Sequence, residues 1–230
     1  MNREALLNNI REWRERIGEA SARWGGAEIC AVSKTIDAET INMAREGGIR
    51  ILGENRVQEL LGKLDSLDPG FEMHLIGRLQ TNKVKYIVDK VAMVQSLDRE
   101  ELARELSRRT VAAGVELPVL VQVNIGREAQ KAGVAEEGLL PFVRLCGALP
   151  GIRVQGLMAI MPAADDPEAV RPLFRAMRGW FERLRDADID GVEMRTLSMG
   201  MSDDCIVAAQ EGATMVRLGR ALFGARPAKI

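Results

Sequence analysis

One histidine and three cysteines among 230 residues remove several chemistries at once. A catalytic pair of histidines cannot form, and His74 alone leaves most histidine-based metal sites without ligands. Cys30, Cys146 and Cys205 are odd in number, widely separated and without CxxC spacing, so they indicate neither a disulfide framework nor a zinc site and fit a reducing compartment. No apolar run approaches the roughly eighteen residues that a membrane-spanning helix needs. The start, where Arg3 and Glu4 lead into an amphipathic pattern, lacks the apolar centre of a signal peptide. The expectation is a soluble, cytoplasmic protein that does not engage membranes. An excess of one charge is missing too. The 32 Lys and Arg stand against 33 Asp and Glu, so nothing drives binding to nucleic acid, and an anionic ligand has to be caught locally. Walker, Rossmann and Gly-x-Ser-x-Gly fingerprints do not occur, which puts nucleotide-binding and serine-hydrolase readings behind.

What is present is a repeating pattern. With 47% hydrophobic and 28% charged residues, the chain can bury a sizeable core under a mixed-sign surface. Short runs rich in Val, Ile, Leu and Met recur, each followed by a segment of helical spacing. Strands are expected near 27–34, 49–54, 71–77, 90–96, 118–125, 154–160, 193–198 and 215–219. Helices are expected over 2–22, 37–47, 54–66, 81–88, 98–113, 135–148, 166–187 and 203–212. Asp37, Ser96 or Asp98, Asp165 or Asp166, and Ser202 stand at N-cap positions, and Gly47, Gly114 and Gly212 at stops. Eight buried strands joined by helical crossovers, in a length close to the roughly 200 to 250 residues such barrels use, predict an α/β fold. The expected fold is a single (β/α)8 TIM-type barrel domain over 1–230, with parallel strands and an extra N-terminal helix. An open doubly wound sheet is the second choice. The Pro- and Asp-containing stretch 162–167 reads as a loop after the sixth strand.

In a barrel, chemistry collects where strands run out at the C-terminal face. Lys34 closes the first apolar run there. Desolvation disfavours a charged amine, and a neutral one can form a Schiff base with an aldehyde; a snorkelling or salt-bridged lysine is the plainer alternative. Ser198, Met199 and the residues on to Asp204 follow the seventh strand and open a helix, offering hydroxyls and backbone N–H groups to an anion. Gly219 and Arg220, after the eighth strand, would complete a phosphate site, whereas taken singly these residues only cap and turn. Arg217 lies inside the last apolar run and needs a partner, either a ligand nitrogen or carboxylate or a barrel carboxylate. Asn55 ends the second strand at the same mouth, unless it caps a helix. The segment from Gly77 to Lys83 brings cations near the mouth, for an anion or as a solvated loop. His74 by itself reads as a structural strand histidine.

Several blocks occur in order along nearly the whole chain. They are Ala31-Val32-Ser33-Lys34, Gly53-Glu54-Asn55 with Val57-Gln58-Glu59, His74-Leu75-Ile76-Gly77 with Leu79-Gln80-Thr81-Asn82-Lys83, and Gly156-Leu157-Met158-Ala159-Ile160. They continue with Leu197 to Asp204 and Met215 to Arg226. With these the chain resembles the pyridoxal phosphate homeostasis protein family, related to the N-terminal barrel of alanine racemase. The resemblance implies pyridoxal 5′-phosphate (PLP) as cofactor, held as an aldimine on Lys34, with Ser198 and the Gly219 backbone at the phosphate and Arg217 facing the pyridine nitrogen. It implies a monomeric carrier with little or no turnover that buffers the aldehyde and maintains its supply, with PLP-dependent enzymes as acceptors. Two positions depart from the family: Arg220 replaces a small hydroxyl residue near the phosphate, and Arg78 stands where proline is common. The competing enzyme reading is a PLP-dependent racemase or decarboxylase with Lys34 as one base, which would need a second acid or base where the chain has only Tyr86 as tyrosine. An enzyme acting on a phosphorylated metabolite, with Lys34 unmodified, ranks last.

Overall fold

A computed structural model of the chain describes residues 2–128 and 130–224. Ala225 and Arg226 of the last sequence block, and the ends of the 1–230 domain expectation, lie outside the described residues. The eight strands are β1 (Glu28–Val32), β2 (Ile51–Glu54), β3 (Glu72–Leu75), β4 (Met93–Leu97), β5 (Leu117–Val123), β6 (Ile152–Ala159), β7 (Val192–Ser198) and β8 (Met215–Leu218). All pair in parallel with their sequence neighbours, and β8 closes on β1 through Cys30↔Arg217 and its flanking pairs. The barrel is therefore closed and the open-sheet alternative falls. Closure explains why these strands read as continuous apolar runs: one face is covered by helices and the other fills the barrel.

The helices are α1 (Arg3–Ser21), α2 (Ala38–Glu46), α3 (Val57–Lys63), α4 (Glu100–Ala113), α5 (Glu136–Gly147), α6 (Arg171–Asp186), α7 (Cys205–Gln210) and α8 (Arg220–Phe223). Helix α1 precedes the first strand and packs on α2, α7 and α8. Its Asn2 side chain accepts from the Ala5 N–H at 2.8 Å, and it buries Leu6, Ile10 and Ile17 along one stripe. Helix α6 does the same with Phe174, Met177, Phe181 and Leu184. Among the described residues no helix is long and apolar enough to cross a membrane.

The boundaries correct several expectations. The segment expected as a helix over 81–88 is a 3₁₀ turn, Thr81–Tyr86, and α3 starts only at Val57 because Glu54 still belongs to β2 and Arg56 is extended. Asp37 and Asp166 cap as expected, accepting from Thr40 N–H at 2.8 Å and Glu168 N–H at 2.9 Å. Ser96 does not cap, because it lies in β4 and donates to the Gly77 carbonyl; nor does Asp98, which pairs with Arg99 at 2.6 Å. Helix α7 is shorter than 203–212. Asp204 precedes it and accepts from the Met201 N–H instead of capping it, and Ser202 faces a different loop.

Candidate functional site

The C-terminal ends of the strands gather a small set of polar side chains in an otherwise apolar barrel. Lys34 stands half-buried in the turn after β1. The residue before it is fixed on three sides. Ser33 donates its N–H to the Gly53 carbonyl at 3.1 Å and its hydroxyl to Glu54 Oε1 at 2.8 Å, and its carbonyl accepts from Lys63 Nζ at 2.8 Å. Lys63 also binds Glu54 and Glu59, each at 2.8 Å.

Arg217 is buried in β8, and two of its three guanidinium nitrogens each make one hydrogen bond to another strand. Nη1 donates to Ser198 Oγ and Nη2 to the Ala159 carbonyl, both at 2.7 Å. Burial pulls its pKa below the ordinary guanidinium value, opposed by Cys30 and Asp204, so the cation is stabilised by oriented dipoles more than by contact with a carboxylate. The donors dictate the rest of the chain of hydrogen bonds. A guanidinium can only donate, so Ser198 accepts from it and must pass its own proton on, to Gln95 Oε1 at 2.8 Å. This orients the Gln95 amide with Nε2 toward His74 Nδ1 at 2.9 Å. His74 thus accepts at Nδ1 and carries its proton on Nε2. Burial lowers its pKa to about 4, so it stays neutral at physiological pH. The network crosses the barrel interior from β8 to β3, and the strand histidine is one end of it.

The two loops expected to form an anion site do meet. Ser202 Oγ accepts from the Ala221 N–H at 3.3 Å, which brings the loop after β7 against the turn that Gly219 opens after β8. A Cβ on Gly219 would meet nothing closer than 3.5 Å, so protein packing does not require glycine there and the backbone stays open to close approach. Met199 is not part of this turn: its side chain is fully buried in the core and its N–H donates to the Met215 carbonyl at 3.1 Å. Ser198 likewise belongs to the interior network. Arg220 turns outward and pairs with Asp203 at 2.6 Å, both side chains being exposed. Asn55 follows β2, close under the loop after β3. Gly77 is obligatory there, since a Cβ would stand 2.1 Å from the Asn55 carbonyl, and Asn55 Oδ1 is a buried acceptor with no hydrogen-bond partner among the described residues. Beyond it an open cleft of about 760 Å³ is lined by Arg56, Arg78 and Arg99 among others, with Arg78 reaching Asp98 at 3.7 Å.

Gln95, Glu54 and Lys63 were not singled out from the sequence. A glutamine amid Met93-Val94-Ser96-Leu97, and a Glu59–Lys63 pair at helical spacing, were the available signals. Among the described residues no metal-type cluster of His, Cys, Asp and Glu occurs.

A lysine after β1, a touching pair of loops after β7 and β8 and an arginine inside β8 are the features of a barrel of the alanine racemase N-terminal type, and the family model "Alanine racemase, N-terminal domain" matches residues 1–227. The pyridoxal phosphate homeostasis protein of Aquifex aeolicus is 45% identical over 217 residues, covering 92% of this chain and 94% of that protein. The protein of the same name from Pseudomonas aeruginosa is 42% identical, covering 96% of both. Among solved structures, PipY of Synechococcus elongatus with PLP bound superposes with a TM-score of 0.84 at 30% identity, covering 95% of this chain and all of that one. The chain belongs to the pyridoxal phosphate homeostasis protein family.

Proposed function

We propose that this protein binds PLP at the C-terminal mouth of the barrel, holds it as a Schiff base on Lys34, and serves to store and supply it in the cytoplasm with little or no turnover, acting as a monomer and passing PLP to dependent enzymes. The observation that carries the reading is the convergence on one mouth of Lys34, the unpartnered Asn55 Oδ1, Arg217 and the Ser202–Ala221 contact. The homeostasis proteins it resembles, and PipY with PLP bound, support it.

Bound PLP supplies an aldehyde for amines and a ring able to draw electrons from the atom attached to it. The roles of the chain follow from its donors and acceptors. Ser202 and the Gly219–Ala221 turn take the phosphate. Ser198, tied into the interior network, orients Arg217 instead of touching the anion. Asn55 turns its unpartnered carbonyl oxygen to a donor on the cofactor. Arg217 has only donors to offer, so it holds the ring nitrogen in its unprotonated form. An unprotonated ring is a weak electron sink, which limits carbanion chemistry on the cofactor.

The reading is tested by titrating the cofactor-free protein with PLP and with pyridoxal, which lacks the phosphate. Tight, saturable binding of PLP with a visible absorbance change, lost in Lys34→Ala, supports it. Equal binding of both compounds would remove the phosphate assignment, and no visible change with either would remove the Schiff base.

A further inference from the structure

The backbone on both sides of Lys34 is held more firmly than a mouth loop ordinarily is. Upstream, Ser33 is tied to Gly53, Glu54 and Lys63, and its carbonyl also accepts from the Ile36 N–H at 3.1 Å. Downstream, the Thr35 N–H binds the Glu59 carboxylate. Thr35 itself sits at φ 65°, in the left-handed region that a β-branched residue rarely enters. Such a conformation lasts only where its surroundings impose it. The group bonded to Thr35 is Glu59, and Glu59 is held in turn by Lys63, only 14% exposed, whose Nζ binds Glu54, Glu59 and the Ser33 carbonyl at once. Glu54 is fully buried and its Oε2 has no hydrogen-bond partner among the described residues, so Lys63 is the countercharge that keeps it there. None of these groups takes part in the Arg217 network.

We infer that Glu59 and Lys63 are positioning residues for Lys34: together they clamp the Ser33–Thr35 turn in its strained form and so fix where the Lys34 amine meets an incoming aldehyde. The inference rests on Lys34 being the anchor. In the step concerned the Lys34 nitrogen bonds to the aldehyde carbon, and the carbonyl oxygen leaves as water. No oxidant or reductant takes part. Released from Glu59, Thr35 relaxes out of the left-handed region and the amine samples a wider volume. A displacement of about 1 Å is enough to slow a positioned reaction by roughly a hundredfold.

The test uses the full chain in its cofactor-free form and two readouts. One is amide hydrogen exchange over residues 33–36; the other is the rate at which PLP modifies Lys34, followed by absorbance and confirmed by borohydride trapping and peptide mass spectrometry. Glu59→Ala is expected to speed exchange and slow modification, each by about tenfold or more. Glu59→Gln keeps a carbonyl acceptor for the Thr35 N–H and is expected to stay within about threefold of the parent in both. Lys63→Met follows Glu59→Ala if it folds; because it strands buried Glu54, the Glu59 pair decides. If Glu59→Ala lowers thermal stability yet leaves exchange and rate unchanged, the clamp is ordinary packing and the inference fails, with Lys34 still the anchor. If the parent protein is not modified at Lys34 at all, the anchor reading fails first and the inference falls with it.

Discussion

His74 gives the sharpest test of the interior network, because it is the chain's single histidine and every imidazole signal belongs to it. The perturbation is acidification. In the folded protein its pKa is about 4, against an ordinary value of 6.5. Above pH 6.5 both folded and unfolded chains carry the neutral ring, and it contributes nothing to the pH dependence. As the pH falls from 6.5 toward 4 the unfolded chain takes up a proton first, so stability is lost across that window and the loss levels off below it. A difference of 6.5 − 4 = 2.5 pH units corresponds to about 3 kcal/mol in total, of which about 2 kcal/mol is lost between pH 7 and pH 5. The carboxylate Glu105 acts lower: lowered from 4.5 to about 2 by Arg108 and Arg109, it loses its contribution as the pH falls from 4.5 through about 2. Urea unfolding at pH 7 and pH 5 measures the loss, and proton NMR of the imidazole follows the charge directly. The C–H resonances are expected to stay at their neutral positions down to about pH 5, and His74→Asn to remove most of the difference in stability between the two pH values. Resonances that titrate near 6.5 would refute the buried, accepting Nδ1 and with it the direction assigned to the hydrogen bonds from Arg217.

Other consequences are independent of that chain. Ser202→Glu places a negative charge beside the Ala221 N–H and is expected to weaken PLP binding at least about tenfold without unfolding the protein, as isothermal titration will show, whereas Ser198→Glu is expected to unfold it by forcing a charge into the buried network. All three cysteines are buried and burial pushes each thiol up to about 12, so a thiol reagent is expected to count none in the native protein and three in denaturant. Gly156 sits at φ 145° with the Thr196 carbonyl 1.8 Å from where a Cβ would be; Gly156→Ala is expected to cost about 3 kcal/mol or more in urea unfolding through the β6–β7 pairing.

The barrel was legible because eight buried strands leave eight apolar runs, and because most crossovers between parallel strands carry a helix of their own. The elements misjudged are those where local signals compete with side-chain contacts. Ser96 and Asp98 look like caps by residue type, but one belongs to β4 and the other is taken by arginines. Thr81–Tyr86 has helical spacing but closes as a 3₁₀ turn. At the site, Arg217 stood out because a guanidinium inside an apolar run needs a partner, and Lys34, Asn55 and Gly219 could be placed at the mouth because a polar or special residue at the end of such a run stands out. The division of labour between Ser198 and Ser202 could not. The two serines are four residues apart, and only the fold shows that Ser198, the last residue of β7, points to Gln95 and Arg217 while Ser202, in the loop after it, points to Ala221. The clamp on Lys34 was hidden for a similar reason: Glu59 and Lys63 have the i,i+4 spacing of any helical ion pair, and that spacing alone does not place Glu54 and the Ser33 carbonyl beside them.

The central claim, that Lys34 anchors the cofactor, is tested most directly by incubating the purified protein with PLP, reducing it with borohydride and locating the pyridoxyl group by peptide mass spectrometry. The account predicts one stoichiometric adduct, on Lys34, and none in Lys34→Ala. Label scattered over surface lysines, or absent altogether, would contradict it.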